Sequence, residues 1–305
     1  MKDLFGQSCE PHANVIAFHD ERYSMEWLYH GFLIVEQDAY NSLEEFMAHC
    51  RKESACAKAV RFATLNGSSR KSSRTRLGLL WAKSLERDLL EYVRFFLLGV
   101  DLSRIDRNLF GRGEGESSDV SMRIYNRFFE IGLFSALRWF FSDMDGIQVS
   151  HIVAEERHLP EHDPFPHHAP YRINQRGSSV TVGCPQVAMI PAKSEGSDWP
   201  QAVLDCLQLT DVLIGGFAQV LDDPNKKPGC IEIGEALLPR VRKMNENPFN
   251  KNSRAWKRLA MRFFPDKSIA EQVYESERPY GMMYPARRLK FEDRGQLSLF
   301  DLVFC

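Results

Sequence analysis

Five carboxylates stand out by position. Asp20 and Glu21 close a short apolar run from Asn14 to His19, and Glu155 and Glu156 close a second run from Ile147 to Ala154. Asp211 sits between Thr210 and Val212-Leu-Ile214, within a stretch that is otherwise apolar. Acids at the carboxyl ends of neighbouring strands can point into one crevice. A converging set of this kind suits a hard divalent cation, Mg²⁺ or Mn²⁺, which prefers oxygen ligands. Such a cation polarises phosphoryl oxygens and activates a bound water, and phosphodiester cleavage needs both. Carboxylates about 4 to 5 Å apart repel by roughly 3 to 4 kcal/mol per pair at an effective dielectric near 20. A cluster without a cation therefore protonates or strains the fold. Each acidic pair also has a plainer use, as solvated turn residues or as a cap for the next helix. Asp211 needs a partner on any reading, because a lone buried carboxylate is costly.

The elements that must position these acids follow from hydrophobic periodicity. Asn14–His19 and Trp27–Val35, separated by the polar stretch Arg22–Glu26, predict an opening β-hairpin. Leu43, Phe46 and Met47 fall at helical spacing, so Asn41–Lys52 is expected to be a helix, with Asn41 or Ser42 able to cap it. Further strands are expected at Ala59–Leu65, Val93–Val100 and Ile147–Ala154, with strand-like pieces in Val180–Ile190. Helices are expected at Leu77–Leu90, Val120–Phe141 and Trp199–Leu221. Gly111–Ser118 and the Pro/His-rich His158–His168 are expected to be loops. Strands alternating with long helices imply an α/β fold with a mixed or parallel sheet flanked by helices. Past Pro224 the character changes: Arg240 to Lys267 carries nine Lys and Arg against Glu246 and Asp266. That stretch is expected to be a basic, mainly helical extension over residues 226–305.

The acids recur in a known pattern. Phe18-His-Asp-Glu21 resembles the opening I-D-E-S of the domain-of-unknown-function family numbered 3800. Leu207-Gln-Leu-Thr-Asp-Val-Leu-Ile-Gly215 resembles its closing L-Q-x-A-D-L-x-x-G helix. The similarity spans roughly Val15 to Val220. It implies a ribonuclease H-like catalytic domain over residues 1–225. It also implies a bacterial or phage-associated nuclease, with a role in defence against phage or mobile DNA, that leaves a 5′-phosphate and a 3′-hydroxyl. Carried over residue by residue, Asp20 is the first metal ligand with Glu21 beside it. Glu155 stands for the acid ending the central strand, Asp211 for the acid of the last helix, and Glu156 is a further candidate ligand. Gln208, one helical turn before Asp211, would orient a ligand or cap a polar group. Two positions depart from the family. Ala59, in Ala59-Val-Arg-Phe62, stands where an E-I-K-F-like strand carries glutamate, and Arg22 replaces the serine after the opening acids. These departures define a second expectation, a nucleic-acid-binding or partner-binding subunit with a degenerate site. A third is a metal-dependent phosphohydrolase acting on nucleotides.

The 305 residues carry a net charge of −2, so recognition of DNA or RNA has to come from local patches rather than a global field. One candidate is the loop Asn66–Arg76, with Arg70, Lys71, Arg74 and Arg76 among small hydroxyl residues that suit phosphate contact. Another is Ser253–Phe264, expected to be an amphipathic helix with Arg254, Lys257, Arg258 and Arg262 on its basic side. Its bland use is docking and its sharper use is a nucleic-acid clamp. His151, His158, His162, His167 and His168 cluster in sequence around Glu155 without matching a standard ligand spacing. His19 should face away from Asp20 and pack. The seven cysteines are odd in number and form no C-x-x-C, which fits reduced thiols in a cytosol. Met1–Pro11 lacks the character of a signal peptide, and no uninterrupted apolar run reaches the roughly 18 residues of a spanning helix. The chain is thus expected to be cytoplasmic, away from membranes, acting with a protein partner or a second copy of itself. Phosphate-loop, dinucleotide and nucleophile-elbow motifs are absent.

Overall fold

The computed structural model describes residues 12–86, 88–111, 119–156, 163–177, 179–190, 198–221, 225–246 and 258–264. β1 (His12–Ser24) and β2 (Trp27–Glu36) form the opening hairpin, paired antiparallel from Val15↔Glu36 to Ser24↔Trp27. The hairpin reverses over Met25 and Glu26, and Met25 takes the left-handed conformation (φ 51°) that so tight a reversal requires. α1 (Tyr40–Ser54) follows and ends at Ala55, which is also left-handed (φ 53°). Its first turn is reached through a short 3₁₀ turn, and neither Asn41 nor Ser42 serves as its cap.

α2 (Ser73–Ser84), α3 (Leu89–Tyr92) and β3 (Val93–Asp101) come next, so the expected Leu77–Leu90 helix is two shorter ones. α4 (Val120–Phe140) is opened by Asp119, whose side chain accepts from the Ser121 N–H at 2.7 Å. Then come β4 (Gly146–Glu155), α5 (Phe165–Gln175), β5 (Val180–Val182), β6 (Ala188–Ile190), α6 (Gln201–Leu221), α7 (Pro228–Glu246) and β7 (Leu259–Phe264).

The strands form one mixed seven-stranded sheet in the order β5-β4-β1-β2-β3-β7, with β6 also pairing β4. β1, β2 and β3 are an antiparallel meander; β4 runs parallel to β1, β5 and β6 parallel to β4, and β7 parallel to β3. One face carries Phe18, Leu33, Phe95 and Val153 into a core shared with α1, α2, α6 and α7. The other carries Ala17, Phe32, Phe96 and Ile152 into an aromatic-rich core with α4 and α5. α6 is the one described helix long and apolar enough to cross a membrane, and 89% of its apolar window is buried inside this fold.

Two expectations about elements are corrected. Ala59–Leu65 is not a strand: it is irregular chain followed by a 3₁₀ turn at Phe62–Thr64. Leu259–Phe264 is not helical but a buried strand, with Leu259, Met261 and Phe263 on one face and Ala260 and Phe264 on the other. A strand covered on both faces has no polar alternation, so its six residues read equally as a helix fragment. α7 and β7 also join the body formed by the earlier elements, through α6 and β3 respectively. The loop expected through His168 ends early, since His167 and His168 lie in α5.

Candidate acidic centre

The register of β1 and β4 decides which acids meet. Phe18 pairs with Val153 and His19 with Ala154, so Asp20 and Glu155 come next in line on the same face. Phe18 and Val153 lie in the α6-side core, whereas Ala17 and Ala154 lie in the α4-side core. Side chains alternate along a strand. The sheet therefore splits each acidic pair: Asp20 and Glu155 face α6, and Glu21 faces α4. Glu21 accepts a hydrogen bond from the Tyr125 hydroxyl at 3.0 Å. Glu156 is exposed, and its N–H is bound to the Ile190 carbonyl at 2.6 Å.

Close packing brings Asp211 to Asp20. Gly31 is the cross-strand partner of Asp20, and a Cβ there would lie 2.3 Å from Ile214 Cγ1. The glycine thus lets α6 approach the sheet at the turn that carries Asp211. Gly215 does the same for Phe62, whose ring carbon Cγ would lie 2.1 Å from an added Cβ. Phe62 in turn donates its backbone N–H to Asp211 Oδ2 at 2.6 Å.

The two carboxylates feel each other. Burial, then the charge of Asp211, then that of Glu21 hold the Asp20 carboxyl well above the usual carboxylate range. The Glu21 N–H, which bonds Asp20 Oδ1 at 2.8 Å, and the Arg61 guanidinium offset part of that. Burial also raises Asp211, against the Phe62 N–H and the charges of Arg61 and Arg22.

A polar stripe on α6 holds the chain that passes beside these acids. Gln201, Asp205, Gln208 and Asp211 recur at helical spacing on one side of the helix. Gln208 Oε1 accepts from the Val60 N–H at 2.7 Å and from Arg51 Nη2 at 3.1 Å. Arg51 grips Asp205 through Nε, 2.9 Å from both carboxylate oxygens, and donates to the carbonyls of Cys56 and Lys58. The segment expected as a strand is therefore extended, but its partners are side chains of a helix rather than a strand edge. Val60 and Phe62 are buried; Arg61 lies between them and forms an ion pair with Glu155.

Arg61, Arg51 and Asp205 were not singled out by sequence reasoning. The glutamine and acid spacing on α6 was a signal for Asp205; nothing local pointed to Arg51. Arg22, on the Asp20 face of β1, places its guanidinium carbon 5.1 Å from the centre of the Phe62 ring.

The basic candidates divide. Arg70 and Lys71 are exposed on their loop, which is fastened to α7 by the Ser69 N–H on Glu232. Arg74 is half-buried, and Arg76 donates to the Ser54 carbonyl at 3.2 Å. Arg258 donates to the Glu91 carbonyl at 2.9 Å. Arg262 is corrected: it is buried in β7, with its guanidinium carbon 4.6 Å from the centre of the Trp139 ring, and burial pushes its pKa down to about 10. It offers no surface to nucleic acid. Arg254 and Lys257 lie outside the described residues, as do His158 and His162. His19 packs on the α4 face against His30, with 3.1 Å between ring nitrogens. A separate cavity of about 20 Å³ between α4 and α5, lined by Arg123, Arg127, Glu130, His168 and Arg172, has room for about one water.

Asp20 and Asp211 fit a divalent cation in donor type and in a charge that Arg61 and Arg22 offset only in part, and Glu155 is the next oxygen donor by register. Among the described residues, however, no three His, Cys, Asp or Glu side chains gather into a set able to hold a metal ion. The acids form a pair, and Glu155 is engaged by Arg61. Compared with known proteins, the chain matches no family model, no curated protein and no solved structure.

Proposed function

We propose that the chain is a divalent-metal-dependent phosphodiester hydrolase of ribonuclease H-like architecture acting on DNA or RNA. One observation carries the reading: β1 and α6 bring the buried Asp20 and the partly buried Asp211 together, and the charge of Asp211 raises the Asp20 carboxyl. Folding alone gives no reason for such an arrangement, because burial and the Asp211 charge both disfavour an ionised Asp20. Asp20 lies level with the carboxyl end of the parallel β4, and open α/β sheets bind ligands at such ends. The meander with β4 and β5 added beyond β1 supports the architectural part of the reading.

Asp20 and Asp211 would hold Mg²⁺ or Mn²⁺, with Glu155 completing the set. Bound there, the ion would supply Lewis acidity and an activated water. The chain's own contributions are positional. The Phe62 N–H fixes one oxygen of Asp211 and leaves the other available. The Glu21 N–H fixes one oxygen of Asp20 in the same way. Arg61 and Arg22 supply guanidinium groups suited to phosphate oxygens.

The test is calorimetric titration of Mn²⁺ into the wild type and an Asp20→Ala/Asp211→Ala variant, followed by incubation of both with labelled DNA and RNA panels. Binding and cleavage by the wild type, both lost in a folded variant, are expected. Failure of the wild type to bind Mn²⁺ would sink the reading. A second reading, a binding subunit with a degenerate site, is favoured by the engagement of Glu155 with Arg61 and by Ala59. It predicts nucleic-acid binding without turnover, insensitive to Asp20→Ala.

A further inference from the structure

We infer that Arg61 is the resident cation of the acidic centre and exchanges between Glu155 and a substrate phosphate. The inference rests on the phosphodiester reading above and specifies how that site is closed and opened.

Three observations carry it. First, the backbone on both sides of Arg61 is fastened to α6, through the Val60 N–H on Gln208 and the Phe62 N–H on Asp211. The backbone is extended at Arg61 (φ −130°, ψ 133°). With Val60 and Phe62 turned into the core, alternation directs the Arg61 side chain to the sheet's acidic edge. One of its anchors is a candidate metal ligand itself. Second, its guanidinium pairs with Glu155 while its charge also acts on Asp20 and Asp211. A single positive group thus serves all three acids. Third, the Arg61 side chain is 38% exposed, so it can turn outward about its own bonds with no movement of the fastened backbone.

A guanidinium and a divalent cation compete for Glu155. Both seek its oxygens, and they repel each other. Recruitment of Glu155 to a metal therefore releases Arg61 beside the acids, where its side chain already reaches solvent. The planar fork it presents matches the paired oxygens of a phosphodiester. The pairing seen here offsets part of the acidic charge without metal and holds the phosphate-binding group beside the place of use.

The experiment uses the full chain as wild type, Arg61→Gln and Arg61→Lys, each checked for folding by thermal unfolding. Mn²⁺ affinity is read by calorimetry. Affinity for a fluorescent, cleavage-resistant phosphorothioate oligonucleotide is read by anisotropy in Mn²⁺ at several salt concentrations. Arg61→Gln is expected to bind Mn²⁺ more tightly and the oligonucleotide more weakly, each on the order of tenfold, with the salt slope reduced by about one. Arg61→Lys should recover the salt slope but only part of the affinity, since a lysine cannot bind bidentately. Equal or weaker Mn²⁺ binding by Arg61→Gln, or unchanged oligonucleotide binding, overturns the inference and leaves the metal reading standing. No Mn²⁺ binding by either wild type or Arg61→Gln overturns both.

Discussion

At the scale of residues, the centre depends on a pair that does no chemistry. Arg51 and Asp205 meet in a two-pronged ion pair with side-chain exposures of 12% and 2%. The same arginine holds the carbonyls of Cys56 and Lys58, which lead into the segment delivering Arg61. Breaking a buried pair from one side leaves the other charge uncompensated. Arg51→Ala is therefore expected to cost about 3–5 kcal/mol in urea unfolding. The double replacement Arg51→Met/Asp205→Leu should cost far less, because no buried charge is stranded. Equal losses in the two variants would mean that the arginine matters for its packing and carbonyl bonds instead.

At the scale of elements, the approach of α6 to the sheet sets the distance between the catalytic candidates. Gly31 sits where that approach is tightest. Gly31→Ala must push Ile214 and the Asp211 turn outward, with an expected loss of about 1–3 kcal/mol from overpacking and weaker Mn²⁺ binding in calorimetry. Gly78, in the middle of α2, is the contrasting case. A Cβ there would meet Ile233 Cδ1 at 3.4 Å and Val212 Cγ1 at 3.7 Å, ordinary contact distances. Gly78→Ala should stabilise the chain by about 0.5–1 kcal/mol through helix propensity, raising the urea midpoint without touching the site. A destabilised Gly78→Ala would show that α2 and α7 tolerate no filling at their contact.

At the scale of the whole molecule, the two faces of the sheet are built differently. The α6 side holds the acid pair, while the α4 side holds a buried carboxylate among arginines. Glu130 of α4 accepts from Arg176 Nη2 at 3.2 Å and has Arg172 at 3.9 Å. Burial nonetheless pushes Glu130 above its ordinary value of 4.5, and burial lowers Arg176. The folded state thus holds the Glu130 proton more tightly than the unfolded chain. The stability this contributes is complete below about pH 4.5 and is lost as pH rises through the folded pKa. Thermal unfolding of Glu130→Gln should show a shallower fall than wild type across that window, since the amide keeps an acceptor but cannot titrate. Identical pH profiles would mean that Glu130 binds its proton equally well in the folded and the unfolded chain.

The hairpin, β3, β4, α1, α4 and α6 were legible in the amino-acid sequence: α1 and α4 by helical spacing, and the others by apolar runs whose length and flanking polar residues separate strand from helix. The sequence also marked Asp20–Glu21, Glu155–Glu156 and Asp211 as candidate acids, with Asp211 alone placed where a carboxylate is costly. Tertiary structure decided what those acids meet. Which member of Asp20–Glu21 and Glu155–Glu156 faces α6 depends on the register of β1 on β4, a relation between segments more than a hundred residues apart. Ala59–Phe62 alternates like a strand, yet its N–H groups are taken by Gln208 and Asp211, and local periodicity does not distinguish a strand edge from a row of side-chain oxygens. Leu259–Phe264 is apolar on both faces, so only its pairing with β3 shows that it is a strand and that Arg262 is inside. Arg61 carried no signal of its own: a lone arginine between two apolar residues becomes a counter-ion only when the fold delivers it to Glu155.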